Sequence, residues 1–375
     1  MMRIAIDLLW VKHNQVGGIE SYVRNLLTGF IALPNEFHFI LLVSQDNKDS
    51  FLEFTRDRRI EIKECPVIST KLLPTVIWEN MKMDRMVSGL NVDFCFVPYY
   101  RCPVFPVKNR YLTVLHDLNA LHFPQYFSKG KYLWLKYYWK FSLRNAYKTV
   151  AISTFVKEDI IDNYGVEANK LDVIYNPIDK NLKVVDFELV SSKYGIEDKK
   201  YLYTVSSLHK HKNLITLLKM MNIIRNKMDN PPKLVISGIS AGGSGELLDY
   251  INNNGLKDLC LFTRFIPTEE LNTLMQHSKV FLFPSVFEGF GMPPIEAKRL
   301  GAKVITTNCA SIPEVTMGKL TYVKDPFDAE EWAELVTNSD DIEQGHEKYE
   351  RYDPAVIASQ YLLLFEELRN GKVEK

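Results

Sequence analysis

Val280-Phe281-Leu282-Phe283-Pro284-Ser285-Val286-Phe287-Glu288-Gly289-Phe290-Gly291-Met292-Pro293-Pro294-Ile295-Glu296 is the stretch that decides the fold. Four consecutive apolar residues, Val280 to Phe283, read as a strand buried on both faces. A glycine-containing loop follows, and Pro293-Pro294 stand where a helix starts, because the N–H that proline lacks is one the first turn leaves unused. A buried strand running through a loop into a helix is the repeating unit of a parallel α/β sheet. The free N–H groups and positive dipole end of such a helix hold a phosphate or pyrophosphate, and Gly289 and Gly291 let backbone approach it closely. Glu288 falls in the loop and Glu296 in the first helical turn, so both face one ligand, where carboxylates accept hydrogen bonds from sugar hydroxyls. On residue types alone, an ordinary strand-loop-helix with solvated glutamates fits equally well.

The same rhythm extends in both directions. Towards the N-terminus, strand-like runs at Ile4–Leu9, Phe39–Val43, Val92–Val97, Tyr111–Leu115 and Thr149–Ile152 alternate with amphipathic segments such as Ile19–Ile31. Near Leu171 to Asp179 a further strand, Asp172–Tyr175, runs into Asn176-Pro177-Ile178-Asp179 and a polar segment to Lys200, which places a hinge there. Strands at Tyr201–Ser206, Lys233–Ser237, Leu259–Phe262, Val280–Phe283 and Lys303–Thr307 form a second series. Asp353-Pro354 then opens a helix through about Arg369. The expectation is two α/β domains, 1–180 and 181–353, with the helix of 354–375 packing back on the first and a ligand cleft between their strand edges. Gly238 to Gly245 is glycine-rich but lacks the Lys-Ser/Thr of a phosphate loop, and reads as a flexible loop.

With 375 residues, 46% of them hydrophobic and 25% charged, the chain buries a sizeable core and is neither disordered nor fibrous. Forty-six basic residues balance 46 acidic ones, so no bulk charge points to nucleic acid. Residues 1–180 hold 23 basic and 19 acidic side chains, a mild bias. No apolar run approaches the about 18 residues of a spanning helix, and the N-terminus reads as strand rather than signal peptide. The five cysteines, at 65, 95, 102, 260 and 309, have no ligand spacing, which fits reduced thiols in a cytoplasmic protein. No grouping of His, Asp and Glu has metal spacing, and no G-x-G-x-x-G supports a nicotinamide cofactor. Residues 126–148 carry six basic side chains, nine aromatics and no acid. Lys129, Lys136, Lys140 and Arg144 at helical spacing suit anionic headgroups, with Trp134 and Tyr138 at the interface; a helix with core aromatics and solvated lysines is the alternative.

Glu288 to Glu296 has the form Glu-x7-Glu around Gly-Phe-Gly, which resembles the donor-site motif of retaining glycosyltransferase family 4, a nucleotide-sugar group of the GT-B fold. Four more segments match in order. They are Val16-Gly17-Gly18-Ile19-Glu20; Val114-Leu115-His116-Asp117-Leu118; Val150 to Phe155 with Val173 to Asp179; and Val205 to Leu214, which contains His209-Lys210-His211-Lys212. The resemblance implies two Rossmann-like domains with parallel sheets facing across a cleft. It also implies metal-independent transfer of a hexose, with retention, from a nucleoside-diphosphate sugar, which is a co-substrate rather than a cofactor. The acceptor would be a hydroxyl on a glycan or lipid-linked glycan of O-antigen or capsule type, at the inner face of the cytoplasmic membrane, as in mannosyltransferase-like relatives.

By the same resemblance Lys212, Glu288 and His116 act at the reacting sugar and diphosphate, and Glu296 holds the ribose. Gly17, Gly18, Ser207, His211, Phe290, Gly291 and Met292 line the nucleotide-sugar. Many relatives carry an arginine where this chain has Ser207 or His211, with Lys210 or His211 as substitutes. Lysine lacks the bidentate fork, and histidine is only partly charged near neutrality. Asp117 alternatively caps the turn after His116. A GT-B epimerase or a catalytically silent sugar-nucleotide binder are the rival readings.

Overall fold

The structure, a computed structural model, describes residues 2–12, 18–239 and 245–370. Gly17, with Val16 before it, Ser240 to Ser244 of the glycine-rich loop, and residues 371–375 lie outside the described residues. The chain divides into two compact units, Met1–Asp179 with Glu350–Lys375, and Lys180–Tyr349.

The first unit is built on seven parallel strands: β1 (Met2–Asp7), β2 (Phe37–Val43), β3 (Ile60–Glu64), β4 (Phe94–Val97), β5 (Tyr111–Leu115), β6 (Lys148–Ala151) and β7 (Leu171–Val173). Their order is β3-β2-β1-β4-β5-β6-β7, so the chain reverses direction across the sheet between β1 and β4. The expected Ile4–Leu9 strand ends at Asp7, whose buried carboxylate accepts the Leu9 N–H at 3.0 Å and turns the chain out of the sheet. β3 escapes sequence reading because Ile60-Glu61-Ile62-Lys63-Glu64 is a short edge strand with charged residues, as edges are.

Helix Pro354–Asn370 belongs to this first unit. It lies on helix Gly18–Ala32, where the Tyr22 and Tyr361 hydroxyls meet at 2.5 Å. Phe365 packs within 6.0 Å of the Phe30, Phe37, Phe94 and Phe96 rings. Gly29 makes the approach possible: a Cβ there would stand 2.1 Å from the Pro354 carbonyl oxygen.

The second unit has six parallel strands: β8 (Tyr201–Val205), β9 (Lys233–Ser237), β10 (Cys260–Arg264), β11 (Val280–Phe283), β12 (Val304–Thr307) and β13 (Thr321–Val323). They run in the order β10-β9-β8-β11-β12-β13. The three-residue β13 is too short to show a period in sequence. Apolar residues on both faces of β8, β9 and β11 close two cores, one containing Leu217, Leu282 and Trp332, the other Tyr203, Phe281 and Ile312. The order reverses between β8 and β11, and at such a switch point the loops leaving the carboxyl ends of the two strands diverge and leave a crevice.

Candidate functional site

Two loops of the second unit meet at that switch point. After β8 the chain passes through Ser206 to His209 into a tight turn, Lys210–Lys212, and then helix Leu214–Lys227. Asn213 joins turn to helix in the left-handed conformation, φ 52°. Its side chain donates to the Pro326 carbonyl at 2.7 Å and accepts from the Thr216 hydroxyl at 2.8 Å, which fixes where Lys212 points. After β11 the second loop is pinned from behind: the Ser311 hydroxyl lies 2.9 Å from the Glu288 carbonyl and 3.0 Å from that of Phe290. The loops are joined directly, because the Val286 N–H donates to the His211 carbonyl at 2.8 Å.

Those constraints put Lys212 Nζ 2.6 Å from Glu288 Oε1, both side chains mostly covered, with the ammonium 6.0 Å from the centre of the Phe283 ring. Gly291 follows at φ +86°, a backbone state that side chains rarely adopt, and starts helix Met292–Arg299, whose end carries no side-chain cap. Because Pro293 and Pro294 have no N–H, the amides presented at this end come from the Gly289–Met292 loop more than from the first turn. Phe290 is buried at 3% exposure, so it offers a ligand backbone rather than its ring. Glu296 lies half-buried at the start of the second turn, not in the first as expected, one helical turn beyond the loop.

His211, next to Lys212, does not share its charge. His211 is 7% exposed, and burial together with the adjacent Lys212 ammonium lowers its pKa from 6.5 to about 4. It is neutral at physiological pH, so the expectation that His211 stands in for an arginine is corrected: a buried ring beside an ammonium does not hold a second proton. Lys210 is exposed and lies 3.8 Å from Glu246. Ser207 is half-buried in the loop after β8.

The remaining expected residues belong to the first unit. His116 follows β5, with Nε2 3.1 Å from the Pro98 carbonyl oxygen and the ring edge-on to Tyr22 at 5.1 Å. Burial lowers its pKa to about 4. A carbonyl only accepts, so Nε2 carries the proton and Nδ1 of the neutral ring is an acceptor. Asp117 Oδ1 accepts the Asn119 N–H at 3.0 Å, the turn-capping role. Gly18 opens helix Gly18–Ala32 and is exposed, while Glu20 is committed to Arg24 at 2.8 Å.

Sequence reasoning missed one feature beside Gly18. The rings of Trp10 and Tyr99 stack at 5.0 Å along a hollow of about 300 Å³ that Gly18 and Glu20 also line. Trp10 lies just past β1 and Tyr99 just past β4, at the first unit's own switch point, which was the available signal. Helix Lys129–Asn145 also departs from expectation: Tyr138 is buried and Trp134 packs on it at 5.2 Å, so the exposed aromatics are Tyr137 and Phe141. Among the described residues no group of three His, Cys, Asp or Glu clusters as metal ligands, and no helix is long and apolar enough to cross a membrane.

Two family models match the sequence. Glycosyltransferase Family 4 matches residues 16–182, and Glycosyl transferases group 1 matches residues 186–355. The chain is 25% identical over 246 residues to the O-antigen chain mannosyltransferase RfbU of Salmonella typhimurium, a match that covers 66% of this chain and 65% of the relative. It is 24% identical over 243 residues to O-antigen chain mannosyltransferase B of Escherichia coli, covering 62% of each. The chain thus spans somewhat less than two thirds of the length of these curated relatives. Among solved structures, sucrose-phosphate synthase from Thermosynechococcus elongatus superposes with TM-score 0.74 at 16% identity, over 99% of this chain and 100% of the other. WaaG, a glycosyltransferase involved in lipopolysaccharide biosynthesis, gives 0.66 at 15% over 98% and 97%. Anabaena HepE, solved with UDP and glucose, gives 0.72 at 18% over 98% and 100%.

Proposed function

Since this chain belongs to the family 4, group 1 glycosyltransferases and has their GT-B fold, we propose that it transfers a hexose from a nucleoside-diphosphate sugar to a hydroxyl acceptor, with retention of anomeric configuration and without a metal ion. The observation that carries the proposal is the Lys212–Glu288 contact at 2.6 Å, placed where the loops after β8 and β11 meet beside Gly291. Breaking the bond to a nucleoside diphosphate builds negative charge on the leaving group. An ammonium in a partly covered site stabilises that charge more than it does in water. Binding of the diphosphate draws Lys212 from Glu288 and releases the carboxylate to the sugar hydroxyls, while Glu296 takes the ribose. His116, an acceptor at Nδ1, receives a hydrogen bond from a sugar hydroxyl.

The names of the relatives support mannose as the sugar and an O-antigen-type lipid-linked glycan as the acceptor. The Trp10–Tyr99 hollow suits an acceptor sugar, whose C–H faces lie against aromatic rings. Helix Lys129–Asn145, with exposed Lys136, Lys140 and Arg144, supports peripheral contact with an anionic membrane at its cytoplasmic face. Incubation with a panel of nucleoside-diphosphate sugars, followed by measurement of nucleoside diphosphate released with and without a lipid-linked glycan, tests the reading. Acceptor-dependent release supports it; epimerised sugar, or binding with no release from any donor, overturns it. The neutral His211 favours the silent binder as second reading.

A further inference from the structure

Only one oxygen of Glu20 is taken up by its ion pair. The side chain is 6% exposed, and Oε1 accepts from Arg24 Nε at 2.8 Å. The other two nitrogens of that guanidinium donate to Glu53 at 2.7 Å and to the Ser50 carbonyl at 2.8 Å, and its carbon lies 4.9 Å from the centre of the Phe51 ring. Arg24 is thus held on several sides and fixes Glu20 in turn. Glu20 Oε2 is buried and has no hydrogen-bond partner among the described residues. A buried carboxylate oxygen without a donor is costly, so this position calls for one.

Glu20 lines the hollow of about 300 Å³ that Trp10, Tyr99 and Gly18 also line. The aromatic wall of that hollow is fastened from behind. Buried Asn47 donates to the Leu8 carbonyl at 2.9 Å and to that of Val11 at 2.6 Å, which clamps the loop carrying Trp10. Trp10 Nε1 donates to the Asp7 carbonyl at 3.2 Å, so the indole offers its ring and not its N–H. The Thr113 hydroxyl donates to the Tyr99 carbonyl at 2.7 Å, and the Arg101 guanidinium lies 5.6 Å from the Tyr99 ring. A rigid aromatic wall with one placed polar group is how small-molecule pockets combine affinity with orientation.

The chemistry of the lining narrows the ligand. A wholly apolar molecule would leave Oε2 unpaired. An anion meets two buried or half-covered carboxylates, Glu20 and Glu53, that share one guanidinium, while Lys12 at the rim is exposed and screened by solvent. A neutral sugar has C–H groups for the rings and a hydroxyl to donate. We propose that Glu20 selects the sugar onto which transfer occurs: Oε2 takes a hydrogen bond from one hydroxyl of a neutral hexopyranose whose ring lies on Trp10. The inference rests on the proposed transfer to a glycan and deepens it by naming the residue that reads that glycan and the class of sugar it admits. A site built to pair a hydroxyl rejects the analogue lacking it, because the buried group is then left unpaired, and like charge rejects a sugar carboxylate.

The test is saturation-transfer NMR of the full chain with the methyl glycosides of mannose, glucose and galactose, against methyl glucuronide, followed by kinetics with the bound hexoside as acceptor. At least one neutral hexoside is expected to bind through its ring protons, and the glucuronide is not. Glu20→Gln should weaken binding of that hexoside and raise its KM at least about tenfold, with the donor KM within about twofold of wild type. Trp10→Ala, at a half-exposed position, should abolish the ring-proton signal and keeps the test open if the first variant misfolds. Wild-type hexoside affinity in Glu20→Gln overturns the proposal, as does equal binding of the glucuronide or binding of no hexoside. Equal weakening of donor and hexoside by Glu20→Gln overturns it too, by making the residue structural. Hexoside binding that both variants lose, with no transfer from any donor, upholds the subsite and sinks the transferase reading alone.

Discussion

Lys212 Nζ lies 2.6 Å from Glu288 Oε1, so the cation proposed to meet the diphosphate is held, before any ligand binds, by the carboxylate proposed to meet the sugar. Lys212→Ala should lower kcat by about 10²-fold or more, the scale on which a single electrostatic stabiliser acts. Glu288→Gln should reduce kcat while leaving the affinity for free nucleoside diphosphate equal or higher, because the lysine is then released from its partner. Steady-state kinetics with calorimetric titration of the diphosphate check both; a folded Lys212→Ala enzyme with near-normal turnover removes the assignment.

Glu296 differs from Glu288 by standing one turn inside helix Met292–Arg299, beyond the Gly289–Gly291 loop. Glu296→Gln should raise KM and the diphosphate Kd with little change in kcat, the pattern of a contact made equally in the ground and transition states. Unchanged Kd for the free nucleoside diphosphate would take the ribose role from this residue.

The buried, neutral His211 makes a prediction of opposite sign to the expectation of a charged substitute. Its folded pKa of about 4 lies below the ordinary 6.5, so the unfolded chain binds the proton more readily. The stability this represents is complete above about pH 6.5 and is lost as pH falls towards 4. Thermal unfolding followed from pH 7 to 4 should show a decline that is shallower in His211→Gln. By the same reasoning His211→Arg should destabilise the second unit, since it buries a charge, whereas Ser207→Arg should strengthen diphosphate binding. A His211→Arg protein as stable as wild type would contradict the burial argument.

The parts of this molecule legible in sequence are those whose causes are local. Val280 to Glu296 declares a strand, a turn and a helix start within 17 consecutive residues, and the structure forms each of them. What stayed hidden depends on partners far along the chain. His211 reads as an exposed basic-loop residue, but it is buried in the fold, its carbonyl bonded by the distant Val286 N–H. Lys212 and Glu288 are 76 positions apart, and no spacing rule pairs them. Trp134 and Tyr138 look as suited to a membrane interface as Tyr137 and Phe141; the distant partners Asn80 and Tyr100, which meet Tyr138, select which pair turns inward. Leu72, Leu73 and Met81 resemble ordinary core residues, yet they are exposed while Thr75, Val76, Met83 and Glu79, the last in an ion pair with Arg101, are buried.

That ion pair has its own consequence. Arg101 is 2% exposed and Glu79 0%, and burial already pushes the Glu79 carboxyl up to about 8, so Arg101→Met leaves it to take a proton and strands a buried polar group without its partner. The expected cost is about 1–3 kcal/mol. Replacing both residues together, Arg101→Met with Glu79→Leu, should recover most of it. Denaturant unfolding of the two variants checks this, and equal destabilisation by single and double replacement would show that packing rather than the stranded polar group sets the cost.

Gly29 tests how residues 350–370 are tied to the first unit. A methyl group at this position would stand 2.1 Å from the Pro354 carbonyl oxygen and 2.7 Å from the Ala358 Cβ, both on the last helix. Neither atom is the end of a flexible side chain, so one helix must move away from the other. Alanine is the better helix former by about 1 kcal/mol, so in an isolated helix Gly29→Ala would stabilise. Here overpacking of about 1–3 kcal/mol opposes that gain, and separating the helices also strains the 2.5 Å contact between Tyr22 and Tyr361. The expected outcome is a lower Tm together with faster proteolysis within residues 350–370. A Gly29→Ala protein with raised Tm would show that the last helix is not held against helix Gly18–Ala32 in solution.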